Sequence, residues 1–360
     1  MGDSFSWIML IVGLIVILVG CDVFTNSIEW LGKKLDLNEG VLGSIFAAVG
    51  TALPETLIPI VAVIFAGSAD AEAQSDAHAV GIGAIIGAPF MLATVAMFVT
   101  GIAIYIFTSR KRRASTELKV NNRIISRDIR FFLLAFIVAV GAGFIEDHLT
   151  KILIAIGLVL YYAFYVYKHA TDVEPETTDE DAEDISPLHF NRKAAEPGLP
   201  VVIIQVIVGL AMIIGAAYLF VQNVSTVASS LGISSLILSL IIVPLATELP
   251  EKFNSVLWVR RTKDTLALGN ITGAMVFQST LPVAFGMVFT EWKVTPEYAP
   301  AFAQAVIAVI AAALLYFSIV VWKRLTARAL VLSGIWYIVW IILVFPMDLE
   351  KMVADWGIFR

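Results

Sequence analysis

Two short motifs place glutamates inside long apolar stretches of the chain. They are GTALPE at residues 50–55 and ATELPE at residues 246–251. In each motif a threonine precedes the glutamate by four residues, so that both side chains lie on one helix face. The proline before each glutamate removes a backbone donor and interrupts the helix, and the freed carbonyls can bind a cation where they line a cavity. Hydroxyl, carboxylate and carbonyl oxygens are the ligands that hard divalent cations prefer.

A carboxylate within the hydrocarbon of a bilayer is costly, by about 2.5–3.5 kcal/mol on insertion scales. Two facing carboxylates also repel each other unless they are protonated or bridged by a cation. A structural role, with each acid paired or near the membrane surface, explains one such glutamate better than two in matching motifs. The sequence therefore predicts a divalent-cation site formed by Thr51, Glu55, Thr247 and Glu251.

The composition of the chain predicts an integral membrane protein. Of its 360 residues, 59% are hydrophobic, whereas soluble domains are about 45–50% apolar. A membrane-spanning helix needs about 20 mostly apolar residues. We predict ten such spans, at residues 6–29, 39–66, 79–108, 129–146, 150–168, 199–222, 233–258, 264–290, 298–322 and 327–347.

The lysines and arginines predict the orientation of these spans. With the N-terminus outside, almost all of the 24 basic residues fall in loops on the cytoplasmic side, as the positive-inside rule requires. The exceptions are Lys151, Lys293, Lys351 and Arg360, together with Lys252 inside a span. We therefore expect a protein of the cell membrane with both termini outside and with residues 169–198 in the cytoplasm.

One loop is strongly acidic. Its sequence DVEPETTDEDAED, residues 172–184, cannot bury enough apolar surface to fold alone. A solvated linker is the simpler interpretation, and a regulatory divalent-cation sensor is the alternative, although the spaced pattern of an ordered calcium loop is missing. This linker, residues 169–198, divides the chain into a first five-helix unit at 1–168 and a second at 199–360.

The two halves of the chain are related to each other. Residues 35–55 align with residues 231–251 without a gap, and the Thr, Leu-Pro and Glu of one motif fall on those of the other. Because each half has an odd number of predicted spans, the halves enter the membrane with opposite orientation. The predicted fold is an all-α integral membrane protein with ten transmembrane helices arranged as two inverted five-helix repeats.

The chain resembles the cation/calcium exchanger superfamily, and specifically its sodium/calcium exchanger branch, in three stretches. They are GCDVFTNSIEWLGKKLDLNEGVLGSIFAAVGTALPE at residues 20–55, ATELPE at residues 246–251 and ALGNITG at residues 267–273. The resemblance implies ten helices and a cation site at the centre of the second, third, seventh and eighth. It also implies alternating access by sliding of the first and sixth helices.

The resemblance implies that the Thr and Glu of each motif bind calcium, and all four residues are present here. The sodium ligands of the family are mostly replaced. The serine that follows each motif threonine is here Ala52 or Glu248. The oxygen-bearing positions of the third and eighth helices are occupied by Ala88, Leu92, Ala274 and Gln278, of which only Gln278 keeps a side-chain oxygen. The divalent core is therefore retained, whereas most side-chain ligands for sodium are not.

Glu248 adds a third acid to the predicted site, and with Gln278 it completes the predicted ligand set. On an unbroken helix, Glu248 and Glu251 would share a face. Crowded carboxylates in a low dielectric hold protons more tightly, so that a proton can take the place of a divalent ion. The alternative is that Glu248 pairs with Lys252, four residues on, and is structural.

These features favour a secondary antiporter that exchanges Ca²⁺ or a related divalent cation for Na⁺, H⁺ or both. A divalent-cation/proton exchanger without sodium coupling, a carrier of another metal ion and a channel are the alternatives. An intramembrane enzyme is disfavoured because the histidines, at residues 78, 148, 169 and 189, are scattered. The sequence has no phosphate-binding loop of the G-x-x-x-x-G-K-[ST] kind. We expect no cofactor and no nucleic acid, and as partners only the lipid bilayer and the transported ions; the oligomeric state is left open.

Overall fold

The computed structural model describes residues 3–35, 55–64, 71–171 and 186–355, and it is almost entirely helical. The helices of the first half are α1 Asp3–Lys34, α2 Glu55–Ile64, α3 Ala71–Met91, α4 Met97–Ser109, α5 Asn122–Ala142 and α6 His148–Thr171. Those of the second half are α7 Leu199–Leu231, α8 Ser235–Thr247, α9 Leu249–Arg260, α10 Asp264–Gln278, α11 Leu281–Phe289, α12 Ala299–Val321 and α13 Ala327–Asp355.

Four short elements complete the described secondary structure. A π-helical turn, Leu92–Ala96, continues α3 into α4, and a 3₁₀ turn, His189–Asn191, precedes α7. The strands β1 Glu117–Leu118 and β2 Leu325–Thr326 pair in antiparallel fashion, with Glu117 opposite Thr326.

Seven segments of the described residues are long and apolar enough to cross a membrane. They are Ser4–Lys34, Gln74–Ser109, His148–His169, Leu199–Leu231, Asp264–Phe289, Ala299–Val321 and Ala327–Val344. Each overlaps one of the ten predicted spans. The other three predictions are not confirmed by this count: residues 39–66 are described only in part, α5 carries Arg127, Asp128 and Arg130, and residues 233–258 are divided between α8 and α9. The acidic stretch 172–184 lies outside the described residues.

The outer surface of the bundle is apolar, as lipid contact requires. Leu134 and Ile137 of α5 are exposed, as are Leu160 of α6 and Ile207 of α7. Asp128 of α5, in contrast, is buried. A helix that faces hydrocarbon is expected to direct its polar side chains into the bundle and its apolar side chains toward lipid.

Local sequence signals end and begin the helices around the second motif. Gly232 ends α7 in the left-handed conformation, with φ 69°, which glycine adopts without strain. Ser234 then caps α8, and its side chain accepts a hydrogen bond from the Ile237 N–H at 3.3 Å. A serine cap satisfies a backbone donor that the first helical turn leaves unpaired.

The helices form two packing units. Helices α1 and α7 lie along each other, and together with α2 and part of α8 they form one apolar cluster. Close approach is possible because Gly209 of α7 lies against the backbone of Phe24 of α1, where a Cβ atom would be 2.9 Å from the Phe24 Cα. Helices α3 to α6 pack with α10 to α13 in a second, larger apolar cluster, to which α8 also contributes.

A hydrogen-bond network at one end fastens α1 to α7. The Gln205 side chain of α7 donates to the Val23 carbonyl at 3.0 Å and to the Asn26 side chain at 2.9 Å. The side chains of Asn26 and Trp30 both donate to the Ser186 carbonyl. This network joins the segment that precedes α7 to the pair of helices.

Helices α3 and α8 come into backbone contact near the second motif. A Cβ atom at Gly83 would collide with the Ser239 Oγ, and one at Gly87 would lie 2.7 Å from Pro244 Cγ and 2.9 Å from the Leu240 carbonyl oxygen. The obstacles at Gly87 include backbone, so a side chain there must push the helices apart. The glycines of the segment 81–98 thus allow α3 to pack directly on the helix that carries the motif.

Substitution of Gly87 by alanine is expected to destabilise the protein by about 1–3 kcal/mol, the usual cost of overpacking. The measurement is thermal unfolding of the purified protein in detergent. Gly157→Ala is the matched control, because Gly157 on α6 has open space where a Cβ would lie. Equal melting temperatures for the two variants would contradict the close contact between α3 and α8.

A buried ion pair joins the segment after α4 to the start of α10. The Arg113 guanidinium donates to both oxygens of Asp264, at 2.6 Å and 2.7 Å, and to the Val259 carbonyl at 2.8 Å. The Lys119 N–H donates to the same Asp264 carboxylate at 2.8 Å. A bidentate arginine–carboxylate pair, in which the carboxylate also accepts a further hydrogen bond, is the strong form of an ion pair.

Arg113→Met is expected to cost about 3–5 kcal/mol of unfolding free energy, because it leaves the Asp264 carboxylate buried and uncompensated. Thermal or denaturant unfolding in detergent measures it. The control is Lys293→Met, which breaks an exposed pair whose hydrogen bond lowers the pKa of Glu146. Such exposed pairs contribute little, so a larger loss of stability in Lys293→Met than in Arg113→Met would refute the assignment.

Candidate cation-binding site

The second motif interrupts its helix, as the sequence predicts. Helix α8 ends at Thr247, Glu248 has φ −88° and ψ 8°, and α9 begins at Leu249 with Pro250 in its first turn. The N–H of Glu248 donates to the Pro244 carbonyl at 3.2 Å, and the Lys252 N–H donates to the Glu248 carbonyl at 3.1 Å. An acidic residue therefore lies at the junction of two short helices.

A second break, in the next segment of the chain, was not predicted. Helix α10 ends at Gln278, Thr280 has φ −117° and ψ −78°, and α11 begins at Leu281. The Gln278 side chain is fully buried, and its oxygen and nitrogen have no hydrogen-bond partner among the described residues. Because buried amides are normally hydrogen-bonded, such a group is suited to binding a ligand.

Three buried glutamates from the two motifs come together. Glu55, the first described residue of α2, is 2% exposed, and Glu248 and Glu251 are 0% exposed. Glu55 interacts electrostatically with both Glu251 and Glu248, and these two interact with each other. Three buried carboxylates in one region repel unless cations or protons compensate their charge.

The Glu55 carboxylate has both of its oxygens buried, and they accept no hydrogen bond from the residues that the structure describes. Within the same residues, no three His, Cys, Asp or Glu side chains are close enough together to hold a metal ion. The three glutamates therefore interact electrostatically, but among the described residues they do not themselves form a metal-binding cluster of carboxylates.

Lys252 brings a positive charge to the glutamates. It is 5% exposed, and its Nζ lies 3.1 Å from the Glu248 Oε2 and 3.3 Å from the Pro244 carbonyl oxygen. Lys252 also interacts electrostatically with Glu55. The pairing of Glu248 with Lys252 that the four-residue spacing suggests is therefore present.

Of the two threonines of the predicted site, Thr247 lies within the described residues. Thr247 is fully buried at the end of α8, and its hydroxyl donates to the Val243 carbonyl at 3.0 Å. Its oxygen keeps lone pairs for a cation. Thr51 lies outside the described residues, as do the remaining positions of the first motif before Glu55.

The third and eighth predicted spans supply few polar ligands where they pack near the motif. Ala88, Leu92 and Ala274 are buried and apolar, and α10 packs on both α3 and α9. Gln278 at the end of α10 is the exception. It belongs to a helix that contacts the motif helix, but no direct contact joins its side chain to the glutamates among those that the structure records.

Two features of the buried polar groups have no signal in the sequence. Cys21 of α1 is buried and interacts electrostatically with Glu55 and Glu251, which brings α1 to the glutamates. Asp128 of α5 accepts hydrogen bonds from Thr272 of α10 at 2.9 Å and from Tyr165 of α6 at 3.2 Å. Both arrangements depend on tertiary packing, and Asp128 stands within a run of basic residues that gives no hint of a buried acid.

Comparison with known proteins identifies the family. The family model described as sodium/calcium exchanger protein matches residues 5–168 and 201–345. The chain belongs to the sodium/calcium exchanger protein family. The chain is also similar to the putative antiporter CaxA of Alkalimonas amylolytica, with 26% identity over 289 residues, covering 78% of this chain and 80% of the relative.

Two solved structures share the fold of this exchanger-family chain. The H⁺/Ca²⁺ exchanger CAX superposes with a TM-score of 0.71 at 15% identity, covering 97% of this chain and 89% of CAX. The sodium-calcium exchanger NCX_Mj, in a crystal soaked with Na⁺ and Sr²⁺, superposes with a TM-score of 0.56 at 20% identity, covering 95% and 99%. At these identities the likeness is one of fold.

Glu55→Gln and Glu251→Gln are each expected to weaken Ca²⁺ binding at least about 30-fold. Loss of one partner in a buried charge interaction costs about 2 kcal/mol or more. Equilibrium binding of radiolabelled Ca²⁺ to the detergent-purified protein measures the change. Glu291→Gln, at an exposed acid, is the control with unchanged affinity. Wild-type affinity in either motif variant would remove that glutamate from the site.

Proposed function

We propose that this protein is a secondary antiporter that exchanges Ca²⁺, or a related divalent cation, for Na⁺ or H⁺. The observation that carries the proposal is the meeting of three buried glutamates, one from the first motif and two from the second, beside a helix break. Membership of the sodium/calcium exchanger family supports it, as does the description of a relative as an antiporter. The acids are the cation-binding groups, and no cofactor is needed for this exchange.

The proposed mechanism is competition for the same carboxylates. A divalent ion draws Glu55 and Glu251 together and offsets their repulsion, while the Thr247 hydroxyl and carbonyl oxygens at the helix break complete its shell. Thr51 and Gln278 are the remaining proposed ligands. Monovalent cations or protons that neutralise the same carboxylates release the divalent ion. Because both kinds of ion need the same charges, one displaces the other.

The membrane arrangement in this proposal is ten spans in two inverted repeats, at residues 1–168 and 199–360. The segment 169–198 is a cytoplasmic linker, both termini are outside, and the protein lies in the cell membrane. The predicted charge asymmetry of the loops supports this orientation. Helices α1 and α7 pack chiefly on each other, which supports their sliding as a pair over the remaining helices.

Loss of the sodium ligands favours a second candidate, a divalent-cation/proton exchanger. The buried, apolar Ala88, Leu92 and Ala274 offer no side-chain oxygen to a sodium ion. Glu248, in contrast, adds an acid that can carry a proton. A carrier of another divalent metal by the same competition is a variant of both candidates.

The test is uptake of radiolabelled Ca²⁺ into proteoliposomes with an outward gradient of either Na⁺ or H⁺. We expect one of the two gradients to drive Ca²⁺ above its external concentration, and Glu251→Gln vesicles to show no such uptake. Uptake driven by sodium identifies the first candidate, and uptake driven only by protons identifies the second. Ca²⁺ entry that never exceeds equilibrium, or no entry with either gradient, would overturn Ca²⁺ antiport.

A further inference from the structure

The buried ammonium of Lys252 lies where a monovalent cation would be stable. Its Nζ is close to a carboxylate oxygen of Glu248, at 3.1 Å, and to the Pro244 carbonyl oxygen, at 3.3 Å. A lysine near a membrane surface usually extends its charge toward water. Here the side chain instead turns back along its own helix to the interruption and is almost fully buried. The chain thus supplies a cation of its own to the glutamates.

The charges of this region set how many cations it needs. The carboxylates of Glu55, Glu248 and Glu251 and the ammonium of Lys252 together carry a net charge of −2. One divalent cation makes it neutral, and so do two monovalent cations. Without Lys252 the net charge would be −3, and a third monovalent charge would be needed for neutrality.

Neutrality matters because these charged groups are buried. An uncompensated ion in such surroundings costs several kcal/mol even after relaxation of the protein. The loaded protein must therefore be neutral in this region when its site changes access from one side of the membrane to the other. Two loaded forms meet this condition: one binds a single divalent ion, and the other binds two monovalent ions.

We propose that Lys252 is a tethered cation that replaces one transported monovalent ion, so that two monovalent cations exchange for each divalent cation without net charge movement. This inference rests on the proposed antiport, and it adds the stoichiometry and the residue that determines it. The balance is complete: two positive charges enter with the divalent ion and two leave with the monovalent ions, whichever monovalent ion drives exchange.

The first measurement is the steady-state Ca²⁺ accumulation ratio in proteoliposomes at a fixed monovalent gradient. Potassium and valinomycin set the membrane potential. For the wild-type protein we expect the ratio to be independent of potential. If one net charge moved per cycle, each 100 mV would change the ratio about 50-fold, the equivalent of about 2.3 kcal/mol per charge. A change of that size in the wild type would overturn the proposal.

Variants assign the effect to Lys252. In Lys252→Met the accumulation ratio is expected to become dependent on potential, whereas Lys252→Arg keeps the charge and the independence. Lys151→Met is the matched control, since Lys151 of α6 is also buried but donates to the Trp292 carbonyl. In the double variant Glu248→Gln/Lys252→Met, the net charge returns to −2, and so independence is expected to return. A ratio independent of potential in Lys252→Met would exclude the tethered cation.

A binding measurement separates failure of this inference from failure of antiport. Radiolabelled Ca²⁺ binding to the detergent-purified protein is followed as the monovalent cation is increased. The logarithm of the apparent dissociation constant for Ca²⁺ is plotted against the logarithm of the monovalent-cation concentration. By the linkage between competing ligands, the limiting slope equals the number of monovalent cations that displace one Ca²⁺. We expect a slope of about two for the wild type and about three for Lys252→Met. A wild-type slope of three overturns the charge count, whether or not the vesicles transport Ca²⁺.

Discussion

Repulsion among buried carboxylates is the constraint on which the arrangement of this protein depends. Glu55, Glu248 and Glu251 are buried, and the Lys252 ammonium group lies beside Glu248. Their electrostatic energy is high until cations arrive, and it is relieved by whatever positive charge the region can recruit. Buried carboxylates that lie close together therefore favour the binding of cations.

The rest of the fold keeps these charges in place despite their repulsion. Helix α3 presses against α8 through glycines, so the interrupted helix cannot move away from its neighbour without losing that contact. At the far end of α9, Arg113 binds Asp264 and the Val259 carbonyl. The interruption between α8 and α9 is therefore tolerated because packing and an ion pair hold both sides of the break. Helices α1 and α7, in contrast, belong to a separate apolar cluster that also includes α2 and parts of α3 and α8.

The sequence predicts the parts of the site that local chemistry determines. Proline in the second motif predicts the interruption after Thr247, and the four-residue spacing predicts the pairing of Glu248 with Lys252. Repetition of the motif predicts that Glu55 and Glu251 belong together.

What the sequence does not reveal depends on packing between distant segments. The approach of Cys21 to the glutamates needs the position of α1. The break after Gln278 falls in a stretch whose apolar residues predict one continuous span. The predicted span at 129–146 begins within α5, whose charged residues near its start interrupt the apolar pattern. The burial of Asp128 among them depends on partners from α6 and α10.

The spacing of Glu248 and Lys252 has a consequence for how the chain enters the membrane. The two side chains are one helical turn apart, so they can pair as soon as that turn forms, before any other helix is in place. Their opposite charges then enter the bilayer as a neutral couple, which lowers the cost of inserting this turn. The same short-range contact that lies beside the glutamates in the folded protein thus also favours membrane insertion of the segment that carries the second motif.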